Sequence, residues 1–448
     1  MNIQAAAQRT NQPFHGILDN EGRVLSNWGQ HRTTKPAVYV EPISYGDVQE
    51  VVRDAARFPA PVNPVGSIAS VTDTIVNDGG TMVCLRKLDD VLGLERDAKG
   101  RRVVRVQAGC RLKKLNMWLP HGVEIPFQAE IGEATVGSVA VGDTKESSLD
   151  GPGYFSAHVV ALTYVDDKGE LRTLSDYADG VAFHEFKCSF GLSGIVVECQ
   201  LEVRPATLCK SDISLVAFQS PDELVKGMLD ARDACDALLA IVFLHQLACF
   251  FDQRSMAGPG DMTPASSQPA CDEFRVAKRL AIQHGFDGVE VPQPMGLVYS
   301  RADFVNEYWR PTAAERRLDF QYYEHDLARL PEVVVATYRF VKEFEKDTGY
   351  APNGWATYFV NRPEKAKKPF GLYSEGPGVS FSFDPFCSNP AEPRWKGFSI
   401  EYNKLAIHKL GGRASPIQTQ WLTRGDVKIP RKLARPRFTT RYYDQFLD

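Results

Sequence analysis

Apolar and polar positions change period repeatedly along the chain, and each change marks an element. Val38, Tyr39 and Val40 form a short β-favouring run closed by Pro42, which predicts a strand. Beyond it Val48, Val51, Val52 and Ala55 recur at helical spacing behind Ser44, a residue suited to capping, so a helix is predicted over 45–56. Residues 60–63 read as a strand running into a loop of small residues at 64–70, and 81–85 as a strand followed by a turn at 88–94. A strand over 102–109 ends in Gly109, and a helix over 112–119 stops at Pro120 and Gly122. Residues 158–166 and 171–175 alternate as an antiparallel pair, and 186–198 reads as a short helix, a Gly-x-x-Gly turn and a strand that reaches Val203.

The second half carries a different pattern. Strands are predicted at 211–218 and 239–244 around a helix over 222–237 that turns Met228 and Leu229 inward. Residues 257–270 are rich in Gly, Pro and Ser and read as a loop or lid. A long helix follows over 332–347, then alternating strands at 355–361 and 379–384, then a segment at 396–407 that begins as a strand and passes into a helix. The whole is an α+β chain: a β-rich first lobe, then an antiparallel sheet backed by helices. No Gly-x-Gly-x-x-Gly opens a helix after the first strand, which disfavours a Rossmann dinucleotide fold.

Length and charge narrow this further. At 448 residues, two or three lobes are expected. The chain is 43% hydrophobic and 24% charged, the composition of a folded protein. A net charge of -4 and short basic runs at 365–368 and 428–437 argue against a nucleic-acid surface. The nine cysteines are scattered singly without zinc spacing, which suits a reducing compartment and implies no metal site. The first residues lack the apolar core of a secretory signal and no apolar run matches a bilayer, so a cytoplasmic protein without membrane attachment is expected.

Two segments hold candidate chemistry. In 129–148 the small residues Gly132, Ala134, Gly137, Ser138, Ala140 and Gly142 allow close backbone approach to something flat and bulky. Thr135, Thr144, Ser147 and Ser148 add hydroxyls beside it. The loop of Pro64, Val65, Gly66, Ser67, Ile68, Ala69 and Ser70 can gather backbone N–H groups in one concavity, as a pyrophosphate requires.

Set in order, these segments resemble the FAD-binding domain (PCMH-type) of the vanillyl-alcohol oxidase and p-cresol methylhydroxylase superfamily. The residues are Pro-Ile-Ser-Tyr-Gly-Asp-Val at 42–48, Pro-Val-Gly-Ser-Ile-Ala-Ser at 64–70, Val-Arg-Val-Gln-Ala-Gly at 104–109, Thr-Val-Gly-Ser-Val-Ala-Val-Gly-Asp-Thr-Lys-Glu-Ser-Ser at 135–148 and Gly-Leu-Ser-Gly-Ile-Val at 191–196. Asn27-Trp28 and Gly411-Gly412-Arg413 resemble motifs of the sugar-1,4-lactone oxidase branch. The resemblance implies an FAD-binding domain over 1–206, a substrate or cap domain over 207–409, and a C-terminal segment, 410–448, returning to the first. It also implies that Pro64 to Ser70 wrap the pyrophosphate. Thr135, Gly137, Ser138, Gly142, Thr144 and Ser148 would follow the ribityl chain and flavin ring, with Gly194 and Ile195 on the adenine side.

Departures from the family pattern carry their own expectations. Ala69 stands where relatives carry a flavin-tethering His, so FAD is expected to bind non-covalently. Lys145 and Glu146 replace a His and a Gly, and either reach the active site as charges or bulge into water. The family's Glu-x-Arg strand pair is absent near 357–359, and its motif after Arg413 is lost, so lactone oxidation is not carried over. Trp355, Tyr358, Phe359, Phe381 and Phe383 either line a pocket or pack as core. The expected activity is an FAD-dependent oxidoreductase taking a hydride from a C–H beside an alcohol or amine of a small molecule, with O2 or another acceptor reoxidising the flavin. Tyr358 or Lys145 is expected as the base, with Ser147, Arg362 and Glu401 as polar contacts. The alternatives are a flavin-dependent cyclase or desaturase of a secondary metabolite, and a non-enzymatic relative that has lost the flavin.

Overall fold

A computed structural model describes residues 14–448 apart from 28–29, 31, 128–130, 143, 148, 188, 259–294, 301–318, 363–377 and 390; for 295–300 and Arg362 it describes the backbone only. Trp28, Ser148 and most of the 257–270 loop therefore lie outside the described residues.

The first lobe holds two sheets. In one, β1 (Ile17–Asp19) runs antiparallel to β2 (Val38–Glu41), and β3 (Val62–Val65) and β4 (Thr81–Cys84) join in parallel, in the order β1-β2-β4-β3. Between β2 and β3 lies α1 (Tyr45–Arg53), whose capping box is complete: Ser44 Oγ accepts from the Asp47 N–H, and the Asp47 carboxylate accepts from the Ser44 N–H. Val48, Val51 and Val52 are buried, as their spacing predicts. The helix stops earlier than predicted, because the Asp54 carboxylate takes the N–H groups of Ala56 and Arg57.

The second sheet is antiparallel. It contains β5 (Val91–Arg96), β6 (Arg102–Gln107), β7 (Val159–Val165), β8 (Leu171–Ser175) and β9 (Ile195–Glu202), in the order β8-β7-β9-β6-β5. Most of the predicted 88–94 turn is thus strand. The register shifts between Val91 and Gly93, and Gly93 has φ +140, so a bulge broke the alternation. The two sheets enclose one core with α2 (Leu112–Trp118) and α3 (Val136–Val141), in which Val48, Val83, Val104, Leu115, Val139, Phe155 and Val197 meet.

The second lobe is built on a ten-stranded sheet among the described residues. Its centre is antiparallel: β10 (Leu208–Ala217), β11 (Ala237–Phe243), β12 (Ala248–Met256) and β13 (Met295–Ser300), with β11 then pairing the later strand at 354–362. The remaining strands are β14 (Asp319–Phe320), β15 (Tyr323–Asp326), β16 (Gly354–Arg362), β17 (Gly378–Ser382), β18 (Asp384–Cys387) and β19 (Arg413–Ala414). Strand alternation splits the side chains between two faces. Leu238, Ala240, Val242, Trp355 and Phe359 pack with Leu224 and Met228 of α4 (Pro221–Asp233) and with Val333, Val334 and Val341 of α5 (Leu330–Thr348). Leu239, Ile241, Ala356, Tyr358, Asp384 and Phe386 face the first lobe and line a cavity. Trp355, Phe359, Phe381 and Phe383 are therefore core, and Tyr358 alone of the five aromatic candidates reaches the cavity.

Residues 396–407, expected to begin as a strand, lie in a helix, α6 (Pro393–Asn403), that continues as a π-helical turn over Lys404–Lys409. The alternation of Phe398, Ile400 and Tyr402 imitated a strand. The buried set is Trp395, Phe398, Ser399, Tyr402 and Asn403, which is helical in period, behind a Glu392 cap and Pro393.

The C-terminal segment packs mainly in the second core, through Leu422, Val427, Ile429, Tyr443, Phe446 and Leu447, and reaches the first lobe around Arg437. The Arg437 carbonyl accepts from the Val62 N–H, and its guanidinium donates to the Val51 and Val52 carbonyls at the end of α1. Phe438 enters the first core.

Candidate active site

A cavity of about 360 Å³ lies between the lobes. Its first-lobe wall is made by Pro64, Val65, Gly66, Ser67, Ile68, Ala69 and Ser70, by Thr135, Gly137, Ser138, Gly142 and Thr144, and by Gly194. Thirteen of the fifteen residues expected to hold a cofactor thus share one cavity. Ser148 is outside the described residues. Ile195 is not on the wall: it opens β9 as a fully buried core residue, and the alternating neighbour Val196 faces the cavity instead.

The wall has local features that fit a cofactor backbone and ring. Ser67 Oγ, on the cavity wall, is buried without a hydrogen-bond partner and so is available to a bound group. Ile68 holds φ +56, a left-handed conformation uncommon for a β-branched residue. Small residues serve close approach. A Cβ on Gly66 would overlap Thr135 Oγ1, and one on Gly137 would stand 2.8 Å from the Ala108 Cβ. The segment expected to follow the ribityl chain and flavin ring opens with a short helix, Val136–Val141, anchored by the Gly137 N–H on the Ala108 carbonyl at 2.8 Å. Val136, Val139 and Ala140 face the core, a helical period hidden by the run of small residues.

Past that helix, three successive residues each reach a different part of the large sheet. Lys145 Nζ donates to Glu324 Oε2 at 2.5 Å, with side chains 3% and 0% exposed. Tyr154 Oη and Arg413 Nη2 donate to the other oxygen of Glu324 at 3.0 and 3.3 Å. Glu146 Oε1 accepts from Arg254 Nη1 at 3.4 Å, and Arg254 holds Asp252 by two bonds at 2.9 and 2.6 Å. Ser147 Oγ donates to the Leu238 carbonyl at 2.6 Å and accepts from the Phe359 N–H at 3.2 Å.

These contacts revise several expectations. Lys145 and Glu146 do not bulge into water: both line the cavity and pair inside the protein. The Lys145 ammonium is committed to Glu324 and sits 3.9 Å from the centre of the Tyr322 ring, so it is a fixed cation rather than a proton acceptor. Ser147 lies off the cavity and links β11 to β16, which makes it a structural pin. Glu401 is exposed on α6 and pairs with Lys404 at the surface, far in role from the site. Arg362 ends β16, paired with Gly378, and its side chain is outside the description.

The cavity also holds residues that sequence reasoning missed. Leu239, Ile241, Phe320, Tyr322 and Phe386 give the sheet side an apolar, aromatic surface, and Ile417, Gln418 and Tyr443 arrive from the C-terminal segment. Tyr322 Oη is buried without a partner. Asp384 was missed as well: its Oδ1 accepts from the Tyr323 N–H at 2.9 Å, and burial lifts its carboxyl to about 7. The signal available for Leu239, Ile241, Phe386 and Asp384 was the two-residue alternation of the strands, which separates lining from core residues only once one face is known; Tyr322, Ile417, Gln418 and Tyr443 lie outside strands and carried no such signal. Among the described residues no His, Cys, Asp and Glu group could hold a metal ion, and no helix is long and apolar enough to cross a membrane.

Comparison with known proteins bears on this cavity. Residues 36–175 match a family described as FAD binding domain. D-arabinono-1,4-lactone oxidase of Eremothecium gossypii is 32% identical over 199 residues, 44% of this chain and 37% of that protein. L-gulonolactone oxidase of Mus musculus is 27% identical over 215 residues, 48% of this chain and 46% of that protein. Decaprenylphosphoryl-beta-D-ribose oxidase of Mycolicibacterium smegmatis is 28% identical over 213 residues, 46% of this chain and 43% of that protein. The matched part thus spans less than half the length of each of these relatives.

Proposed function

From a chain that carries an FAD-binding domain of the vanillyl-alcohol oxidase and p-cresol methylhydroxylase superfamily, we propose that the protein is an FAD-dependent oxidoreductase acting on a small molecule. The observation that supports this most is one continuous cavity, walled on one side by the matched domain and on the other by the apolar face of the large sheet. When bound, the flavin supplies the hydride-accepting chemistry. The reaction it suits is removal of a hydride from a C–H beside an alcohol or amine.

The chain's own residues would do the rest. The loop from Gly66 to Ser70 offers the orphaned Ser67 hydroxyl and backbone amides to a pyrophosphate. Ala69 has no nucleophile, so the cofactor is held without a covalent bond. Leu239, Ile241, Phe320 and Phe386 exclude water around the reacting end. Tyr358 orients the substrate there. Ala356 and Tyr358 stand on the cavity face of β16, close to where sugar-lactone oxidases would carry a charged pair. This favours a substrate less polar than a sugar lactone. The cap role of residues 207–409 and a cytoplasmic location belong to the same proposal.

The absorption spectrum of the purified protein tests the reading. Flavin bands that bleach when a substrate is added without oxygen are expected. A colourless protein that takes up no added FAD overturns it.

A further inference from the structure

Among the described residues, the Lys, Asp and Glu side chains on the cavity wall are Lys145, Glu146 and Asp384. Two of them are committed to partners of opposite charge: Lys145 to Glu324, and Glu146 to Arg254. Asp384 makes no ion pair among the described residues. The residue is 5% exposed and opens β18 next to Ala356 of β16, and its carboxyl receives the Tyr323 N–H. To act as a base Lys145 would first have to lose a proton, and Glu146 would lose its charge on gaining one; either breaks a buried ion pair, whereas a proton taken by Asp384 breaks none.

Resting on the proposed flavin chemistry, we infer that Asp384 is the proton acceptor of the reaction. In the step, the substrate O–H or N–H bond breaks and the proton passes to a carboxylate oxygen of Asp384. The electron pair left on oxygen or nitrogen becomes the second bond of C=O or C=N. The carbon releases its hydride, with two electrons, to the flavin. The substrate is oxidised by two electrons, the flavin is reduced by two, and Asp384 holds the proton until water or product removes it.

The surroundings suit this task. Burial raises the carboxyl to about 7, which lets the charged form exist at neutral pH while retaining affinity for a proton. The groups facing it come from four other places in the fold. They are Lys145 after the short helix, Glu324 and the Tyr323 N–H on β15, the Ser382 hydroxyl on β17, and the Tyr402 phenol on α6. Lys145, Ser382 and the amide favour the carboxylate; Glu324 opposes it. The Lys145–Glu324 pair therefore also sets how readily Asp384 charges.

The test combines Asp384→Asn with two readouts on the flavin-loaded protein. The rate of anaerobic flavin reduction should fall about 10²–10⁴-fold in the variant and lose its rise with pH near 7, with substrate binding little changed. Infrared difference spectra of wild-type protein should show a protonated-carboxyl band that titrates near 7 and is absent from the variant. An unchanged flavin spectrum in the variant separates this role from a folding defect. A variant that reduces flavin at the wild-type rate with the same pH profile overturns the inference while leaving the flavin assignment intact. Should Asp384→Asn not fold, the wild-type infrared titration decides alone: a carboxyl ionised from about pH 5 to about pH 9 overturns it.

Discussion

Lys145 Nζ and Glu324 Oε2 meet at 2.5 Å across the two lobes, and neither side chain is more than 3% exposed. The pair joins the loop after the short helix to β15. Sequence alone showed a lysine where the family pattern it resembles has a histidine; the structure shows what that lysine does. Removing one partner of a buried pair leaves the other charged without compensation. Lys145→Met should therefore cost about 3 kcal/mol, the low end of the usual range, because Tyr154 and Arg413 still reach Glu324. Chemical denaturation of the variant measures this. A loss well below about 1 kcal/mol would show that the pair contributes no more than a surface ion pair.

Ser147 gives a second, separable prediction. Its hydroxyl holds the Leu238 carbonyl and the Phe359 N–H, and Ser147→Ala leaves both buried groups short of a partner. An unsatisfied buried group costs about 1–3 kcal/mol. The expected outcome is lower stability with unaltered flavin content per folded molecule. A catalytic Ser147 would show the reverse: normal stability and a large loss of flavin reduction rate.

Gly66 and Thr135 form a contact that a double-mutant cycle can isolate. Gly66→Ala forces a methyl onto the Thr135 side chain and should destabilise by about 1–3 kcal/mol. Thr135→Ala removes the nearest atoms but leaves its own Cβ 3.0 Å away, so the double variant should recover part of the loss. Gly109→Ala is the contrast. There the methyl would overlap the Leu85 carbonyl, a backbone atom that no side-chain change can withdraw.

Ala69 lines the cavity at the position where the family pattern that the sequence resembles has a tethering histidine. Acid precipitation of the purified protein should leave flavin in the supernatant and a colourless pellet. Yellow that stays with the pellet would show a covalent link through another residue.

The first lobe was legible because its elements are local. A capping residue, a helical period and a glycine turn each lie within about ten residues, and the motif order then indicated a cofactor cavity. What escaped reading depends on contacts between distant segments. Glu324 lies 179 residues from Lys145, and Ile417 and Tyr443 reach the cavity from the far end of the chain. Asp384 looked like an ordinary strand terminus, since its importance comes from the face it occupies. The helix at 393–403 was misread for a related reason: Phe398, Ile400 and Tyr402 alternate, and only packing shows that Ile400 is not in the buried set.

Asp384 also makes a prediction about stability against pH. Its carboxyl titrates near 3.8 when unfolded and near 7 in the native protein, chiefly because burial disfavours the charge. The native state thus binds the proton more tightly. The contribution is complete below about pH 4 and shrinks as pH rises to about 7, beyond which it is gone. His325 works against it in the same interval. Burial lowers its imidazole to about 4, so its contribution is complete above the unfolded value of 6.5 and is lost as pH falls. The two slopes oppose each other in the wild-type curve, which makes the difference between wild type and Asp384→Asn the informative quantity. That difference should fall by about 1.4 kcal/mol per pH unit within the interval and flatten on either side. Denaturant unfolding at a series of pH values measures it. A difference that stays constant from about pH 4 to about pH 7 would mean that the native carboxyl titrates as it does in the unfolded chain.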